Sequence, residues 1–195
     1  MSCQQVIQRA KNLLFQPETE WESIQKENRS SRSIIRYYLL PMVLFTGASA
    51  LVGGTIYHSG YGLNVSYILS STVICLVVSY AVVYLSALII NEIAHNFGSA
   101  KDRAAVMALV SYSSTAFFVS YAAANLLNIP PLNSLLSLCG LYALYILWTG
   151  STPMLQIPAE SRIKFTITSG LIMLGVYFAF RLLLEAVFAG PLSGV

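Results

Sequence analysis

Five long apolar runs dominate the chain, with approximate limits 37–57, 67–90, 104–127, 132–150 and 165–189. Each is about 19–25 residues, and a helix needs about 20 to cross the hydrocarbon layer of a bilayer. From Tyr37 to Asn91 there is no Asp, Glu, Lys or Arg. Inside lipid every backbone amide must be bonded within its own segment, so the runs are predicted to be membrane-spanning helices. They are too long and too evenly apolar for barrel strands, which alternate.

Residues 1–36 read differently. Val6, Ile7, Ala10, Leu13 and Leu14 recur at helical spacing, with Arg9 and Lys11 expected on the remaining faces. Pro17 interrupts, and Glu18, Glu20 and Glu22 follow, an acidic first turn that suits the positive end of a new helix. Trp21 and Ile24 are three apart and share a face. Two short amphipathic helices are predicted, either lying in the plane of the inner membrane surface or forming a solvated tail. The expected fold class is all-α: an integral membrane protein with a five-helix transmembrane bundle over 37–195, preceded by a short amphipathic N-terminal segment over 1–36.

The connections carry turn signals. Gly60 and Gly62 break the chain after the first span. Gly98 suits the end of the second span's helix. Ser99 followed by Asp102 matches a capping box for the third. Pro130 and Pro131 suit the first turn of the fourth, and Pro153 and Pro158 bracket the loop after it.

Composition agrees with a bilayer. Hydrophobic residues make up 56% of the chain and charged residues 10%, against about 25% charged in a soluble domain. Ten of the 11 Lys and Arg residues fall in the N-terminal segment and the second and fourth loops: Arg9, Lys11, Lys26, Arg29, Arg32, Arg36, Lys101, Arg103, Arg162 and Lys164. The eleventh, Arg181, is inside the fifth span. The net charge of +3 therefore reports topology and not a nucleic-acid partner. By the positive-inside rule the N-terminus is cytoplasmic, and an odd number of spans puts the C-terminus outside. Cys3, Cys75 and Cys139 show no metal-ligand or redox spacing.

Intramembrane polar residues are the first places to seek function. Glu92 and His95 are three apart at the cytoplasmic end of the second span, where a carboxylate and an imidazole could hold a cation or relay a proton. Tyr80, Tyr84, Tyr112, Ser113 and Tyr142, with Arg181 and Glu185 four apart on the fifth span, are candidates for a polar path. The competing structural reading gives Thr72, Ser79 and Ser86, and the run from Ser111 to Thr115, to helix packing. Gly47, Gly53 and Gly54 suit packing within one bundle or between copies of the chain equally well. No catalytic motif is present: no G-x-S-x-G elbow, no H-E-x-x-H, no phosphate loop. No enzyme activity, cofactor or metal is expected.

Three stretches carry a resemblance. They are LFQPETEWESI (Leu14 to Ile24), NEIAHNFG leading to VSYSS (Asn91 to Ser114), and LNIPPLNSLLSLCGLYALYILWTGSTPMLQIP (Leu127 to Pro158). In order and spacing within five spans the chain resembles the Yip family, the Ypt/Rab-interacting membrane proteins, in its bacterial branch. The resemblance implies five spans with a cytoplasmic N-terminus, here in a cell (cytoplasmic or inner) membrane. It implies structural roles for Pro17, Trp21, Gly98, Gly140, Gly150 and Pro153, and it supplies no catalytic residues. Eukaryotic relatives are adaptors of vesicle traffic that bind small GTPases and assemble with other members. Two readings of function follow: a non-enzymatic membrane-organising or partner-binding protein with its protein partners at the cytoplasmic face, or a small ion or solute transporter with a polar path through spans two to four.

Overall fold

The computed structural model describes residues 3–58, 64–99, 102–127 and 129–192, and every regular element among them is helical. Gly60, Gly62 and Lys101 lie outside the described residues. Helices α1 (Cys3–Phe15) and α2 (Pro17–Glu27) form a hairpin. Helix α3 (Ser31–Ile34) continues through a π-helical turn (Ile35–Leu39) into α4 (Leu40–His58). Helix α5 (Val65–Ile93) ends in a 3-10 turn (Ala94–Phe97). Helices α6 (Arg103–Ser113) and α7 (Thr115–Leu127) meet at Ser114. Helices α8 (Pro130–Cys139), α9 (Tyr142–Leu155) and α10 (Ala159–Leu192) follow.

Among the described residues, four stretches are long and apolar enough to cross a membrane: Ser31–Tyr57, Val65–Phe97, Arg103–Leu127 and Ala159–Leu184. They match four of the five expected spans. The fourth expected span, 132–150, is two helices rather than one. The chain tightens at Gly140 and Leu141, where Leu141 N–H donates to Leu138 O (2.9 Å) and Ala143 N–H to Gly140 O (3.0 Å). These are three-residue bonds in place of four-residue ones. Glycine disfavours a helix interior by about 1 kcal/mol relative to alanine, and Gly140 sits where the helix divides. Helix α8 packs on α7, and α9 packs on α6, α2 and α10. The pair together thus runs back along the α6–α7 helix.

Helix ends follow local chemistry, with one shift of position. Gly98 has φ +85° and closes the 3-10 turn, its N–H donating to His95 O. A side chain there would be strained and would also meet the Pro158 ring at 3.3 Å. The capping box expected from Ser99 does not form. Ser99 N–H still donates to Ala94 O (3.3 Å), so Ser99 belongs to the turn that ends α5. Asp102 alone caps α6, accepting from Ala104 N–H (2.8 Å) and Ala105 N–H (3.1 Å). Helix α9 runs past its expected end at Gly150, with Pro153 inside its last turns. Proline has no N–H to offer Thr149 O. Arg162 supplies a donor instead, with Nη2 at 3.4 Å from Thr149 O, Nε at 2.8 Å from Trp148 O, and its guanidinium 3.9 Å over the Trp148 ring.

The small residues act inside the bundle. Gly47 faces Leu76 of α5, and a Cβ on Gly53 would lie 2.7 Å from the carbonyl carbon of Asn125 in α7. Thr72, Ser79 and Ser86 are buried along one side of α5. Outward positions are apolar: Leu44, Leu171 and Leu182 are 62%, 63% and 64% exposed. Such a surface is at rest only against lipid tails, so these helices contact a bilayer.

The N-terminal hairpin is neither a solvated tail nor a helix pair free to lie on the membrane. Val6, Leu13, Trp21 and Ile24 are buried in the same core as Leu109, Ile146 and Leu147. A tryptophan and three aliphatic side chains removed from water hold the hairpin to the bundle, at about 1.5–3 kcal/mol for each such side chain.

Candidate functional site

The helix ends that meet the hairpin share one end of the bundle. Phe97 packs edge-on against Phe165, Gly98 faces Pro158, and Arg162 binds the end of α9. The basic residues Arg9, Arg29, Arg32, Arg36, Arg103 and Arg162 all belong to this basic end.

At its centre is a buried cluster of rings and charges. Pro17 starts α2 at its first position, which fixes the entry of the helix. Trp21 then points inward, fully buried, with Nε1–H donating to Ile146 O at 3.0 Å. A Cβ on Gly150 would stand 2.6 Å from Cζ2 of Trp21 and 2.7 Å from Cδ1 of Leu109, so only glycine leaves room for this ring. Tyr112 meets Trp21 edge-on (6.2 Å between centroids) and Tyr38 at 4.4 Å. The Tyr38 hydroxyl is 2.5 Å from Thr115 Oγ1. The π-helical turn brings Tyr38 into the core while the adjacent Tyr37 is 41% exposed.

Arg9 closes the cluster from α1. The stripe Val6–Ala10–Leu13 places Arg9 on the buried face, not on a remaining one, and it is 9% exposed. Its Nε lies 3.4 Å from Glu20 Oε1, and its Nη2 pairs with Glu27. Arg29 Nε reaches the other Glu27 oxygen at 2.6 Å. Asn12 donates to Glu20 at 2.7 Å. The Arg9 guanidinium sits 5.5 Å from the Tyr112 ring centre. A cavity of about 420 Å³ opens beside Tyr112, with Arg29, Lys26 and Asp102 among its walls. Two buried polar atoms here, Arg9 Nη1 and Tyr112 OH, have no hydrogen-bond partner among the described residues.

Burial alone would raise the Glu27 carboxyl, but hydrogen bonds and charge from Arg9 and Arg29 hold it below the usual carboxylate range. Burial likewise disfavours the charged Arg9 guanidinium, and Glu27, Tyr112 and Glu20 outweigh it, so its value is raised. Glu27 binds fewer protons folded than unfolded. Its stabilisation is therefore present above the ordinary glutamate value, about 4.3, and is lost as pH falls through the depressed folded one. With Trp148→Phe leaving Trp21 as sole tryptophan, emission should stay blue-shifted down to about pH 5 and move red as pH falls below about 4. Glu27→Gln should flatten this response; an unchanged acid transition in that variant would put the sensitivity elsewhere.

The other candidates lie apart. His95 and Glu92 are both exposed at the end of α5, and His95 Nδ1 lies 2.7 Å from the Glu92 backbone carbonyl rather than its carboxylate. Glu92 Oε1 is 3.5 Å from Asn91 Nδ2. No group of three or more His, Cys, Asp and Glu side chains suited to a metal occurs among the described residues. Tyr80 stacks on Tyr84 (5.7 Å), and Tyr142 on Tyr145 (5.3 Å) at the lipid-exposed surface of α9. Among the described residues no ring contact joins either pair to Tyr112. Ser113 is buried, with no partner for its hydroxyl among the described residues. Arg181 is half-buried on α10, and the Glu185 side chain lies outside the described residues. Of the sequence candidates, the structure unites Trp21, Gly150 and Tyr112.

The family model of the Yip1 domain matches residues 11–180. This chain belongs to the Yip family. The match begins within α1 and ends within α10, so the Yip1 domain takes in α2 and its Trp21 along with the apolar helices. No curated protein and no solved structure matches the chain. Within the stretch Leu14 to Ile24, Trp21 fills the socket that Gly150 leaves open. Sequence reading missed Arg9, Glu20, Glu27, Tyr38 and Thr115. Arg9 did leave a signal, since it falls 60° from Val6 at about 100° per residue, inside the apolar stripe.

Proposed function

We propose that this Yip-family protein is a non-enzymatic, partner-binding membrane protein with five crossings, whose docking surface is the folded hairpin at the basic end. The N-terminus and that end face the cytoplasm of a cell in whose bounding membrane the protein resides, and the C-terminus faces out. The fourth crossing is the α8–α9 pair. The carrying observation is the hairpin itself: one face is fixed to the bundle by Trp21 and Arg9, and the other displays exposed side chains. Phe15 is 76% exposed and Ile7 63% exposed on α1, next to the exposed Glu18 and Glu22 of α2. Large apolar side chains held rigidly amid polar ones are a recurrent form of protein docking surface. A transport role finds less support, because Tyr80, Tyr84, Tyr112 and Tyr142 fall into separate contacts instead of lining one path.

The topology and the surface can be tested together. Cys3 is exposed, so with Cys75 and Cys139 replaced by alanine a membrane-impermeant maleimide should label it only after the cytoplasmic side is opened. A photo-crosslinking residue at position 15 should then form a discrete protein adduct in intact cells, lost on Ile7→Glu. Labelling from outside would invert the topology. Adducts to lipid alone would remove the docking surface and shift the reading toward transport, to be followed by ion flux in liposomes with Glu92→Ala and His95→Ala.

A further inference from the structure

A second opening lies on the other side of α3, between the start of the α3–α4 helix, the last third of α5 and the start of α6, with a volume of about 510 Å³. Its contents are sharply divided by depth. Arg32, Arg36 and Arg103 stand at the rim, and Leu40, Tyr84 and Leu88 form the walls below. Arg103 is the first residue of α6, and Arg32 is second in α3. Leu40 is eight residues further along its helix than Arg32, which is about 12 Å deeper at 1.5 Å per residue. Tyr84 is nine residues before the end of α5, a comparable depth. The groove is thus cationic at the membrane surface and apolar in the leaflet.

The charge here differs from that around Arg9. Glu20 and Glu27 together neutralise Arg9 and Arg29. No carboxylate lines this groove, and no ion pair to Arg32, Arg36 or Arg103 occurs among the described residues. Among the described residues Arg36 stacks on its neighbour Tyr37, at 5.6 Å. Three uncompensated guanidinium groups around one opening repel one another, and the fork of each matches a phosphate oxygen pair. The π-helical turn, which carries Ile35 and Arg36, forms part of the wall. Such turns are often retained where a helix shapes a binding site. A positive-inside bias alone would scatter basic residues around the bundle end and would not require an apolar slot beneath them.

We propose that this groove binds one acidic phospholipid from the leaflet that the basic end faces. Its phosphate lies among Arg32, Arg36 and Arg103, and an acyl chain runs along Leu40, Tyr84 and Leu88. The inference does not depend on the docking role of the hairpin, which lies on α1 and α2.

The test uses the full chain, delipidated in neutral detergent. It is titrated separately with dioleoyl phosphatidylglycerol, dioleoyl phosphatidylcholine and glycerol 3-phosphate, with bound molecules counted by native mass spectrometry. One phosphatidylglycerol should be retained, at least about tenfold more tightly than phosphatidylcholine. Arg32→Gln, Arg36→Gln and Arg103→Gln should each weaken it about fivefold, the worth of one cationic side chain against an anionic membrane surface. Lys164→Gln, which removes the same charge from the same end outside the groove, should leave it unchanged. Leu88→Trp should abolish retention by filling the slot with no change of charge. Equal retention of phosphatidylcholine would overturn the proposal. So would a loss with Lys164→Gln as large as with Arg36→Gln, since that reports net charge only. Binding of glycerol 3-phosphate as tight as that of the lipid would make this a site for free phosphates.

Discussion

Trp21→Ala should destabilise the protein by about 3–5 kcal/mol, the range for deleting a fully buried large aromatic side chain. The indole fills the space that Gly150 leaves open, touches Tyr112 edge-on and donates to Ile146 O. Removing it opens a cavity that helix α9 cannot close, because its backbone is held by α6 and by Arg162. The loss should be local before it is global. The hairpin should detach while the apolar helices stay folded, so trypsin should cut at Lys11 and Lys26 in the detergent-solubilised variant at temperatures where the parent protein resists. Trp21→Phe keeps most of the ring and loses the hydrogen bond, at about 0.5–1.5 kcal/mol. Gly150→Leu should reproduce the detachment from the other side, because its side chain takes the position of the indole. If Trp21→Ala left the cleavage rate and the melting temperature unchanged, the hairpin would not be part of the folded bundle.

Arg9→Met should cost a similar amount, about 3–5 kcal/mol, for a different reason. Methionine fills much the same space, so packing is nearly kept. What changes is that Glu20, 8% exposed, loses its only cationic partner among the described residues. Glu27 keeps Arg29 at 2.6 Å, so the damage should concentrate at Glu20. An uncompensated buried carboxylate is costly, and the cheaper outcomes are protonation or expulsion of α2. Adding Glu20→Gln to Arg9→Met should therefore recover a large part of the loss, and the double mutant should melt above Arg9→Met alone. A double mutant no better than the single would show that Arg9 acts through its stacking on Tyr112 and not through its charge.

These two residues also show where sequence reading stopped. The apolar helices were legible because a run of about 20 residues without charge has one inexpensive environment. The amphipathic hairpin was legible as two helices, from Pro17 and the acidic turn behind it. Its docking was not. Val6, Leu13, Trp21 and Ile24 describe a face that must be covered, and lipid headgroups, solvent or a neighbouring helix could each cover it. The partner lies 125 residues away, where Trp21 finds Ile146. Gly150 by itself says only that something passes close by.

The fourth expected span shows the same limit. A continuous apolar run from 132 to 150 reads as one helix, and a lone glycine inside it is tolerated in many helices. The division at Gly140 arises because α8 and α9 pack on different neighbours, and the glycine gives way where the two demands meet. Ser114 divides α6 from α7 in a comparable way. Its hydroxyl donates to Val110 O at 2.8 Å, and such back-bonding bends helices. Thr115 in the next position takes the hydroxyl of Tyr38.

The sequence by itself determined the solvent, the number of apolar runs, the end at which positive charge gathers and the family. The first three follow from composition and short-range periodicity, and the family from a resemblance in three stretches; all of these act along the chain. The tertiary structure decided which polar residues meet. It took Arg9 into the core with Glu20 and Glu27, left Glu92 and His95 at the surface, and stacked Tyr80 on Tyr84 and Tyr142 on Tyr145. Those outcomes depend on distances between segments far apart in the chain, and no local pattern encodes a distance.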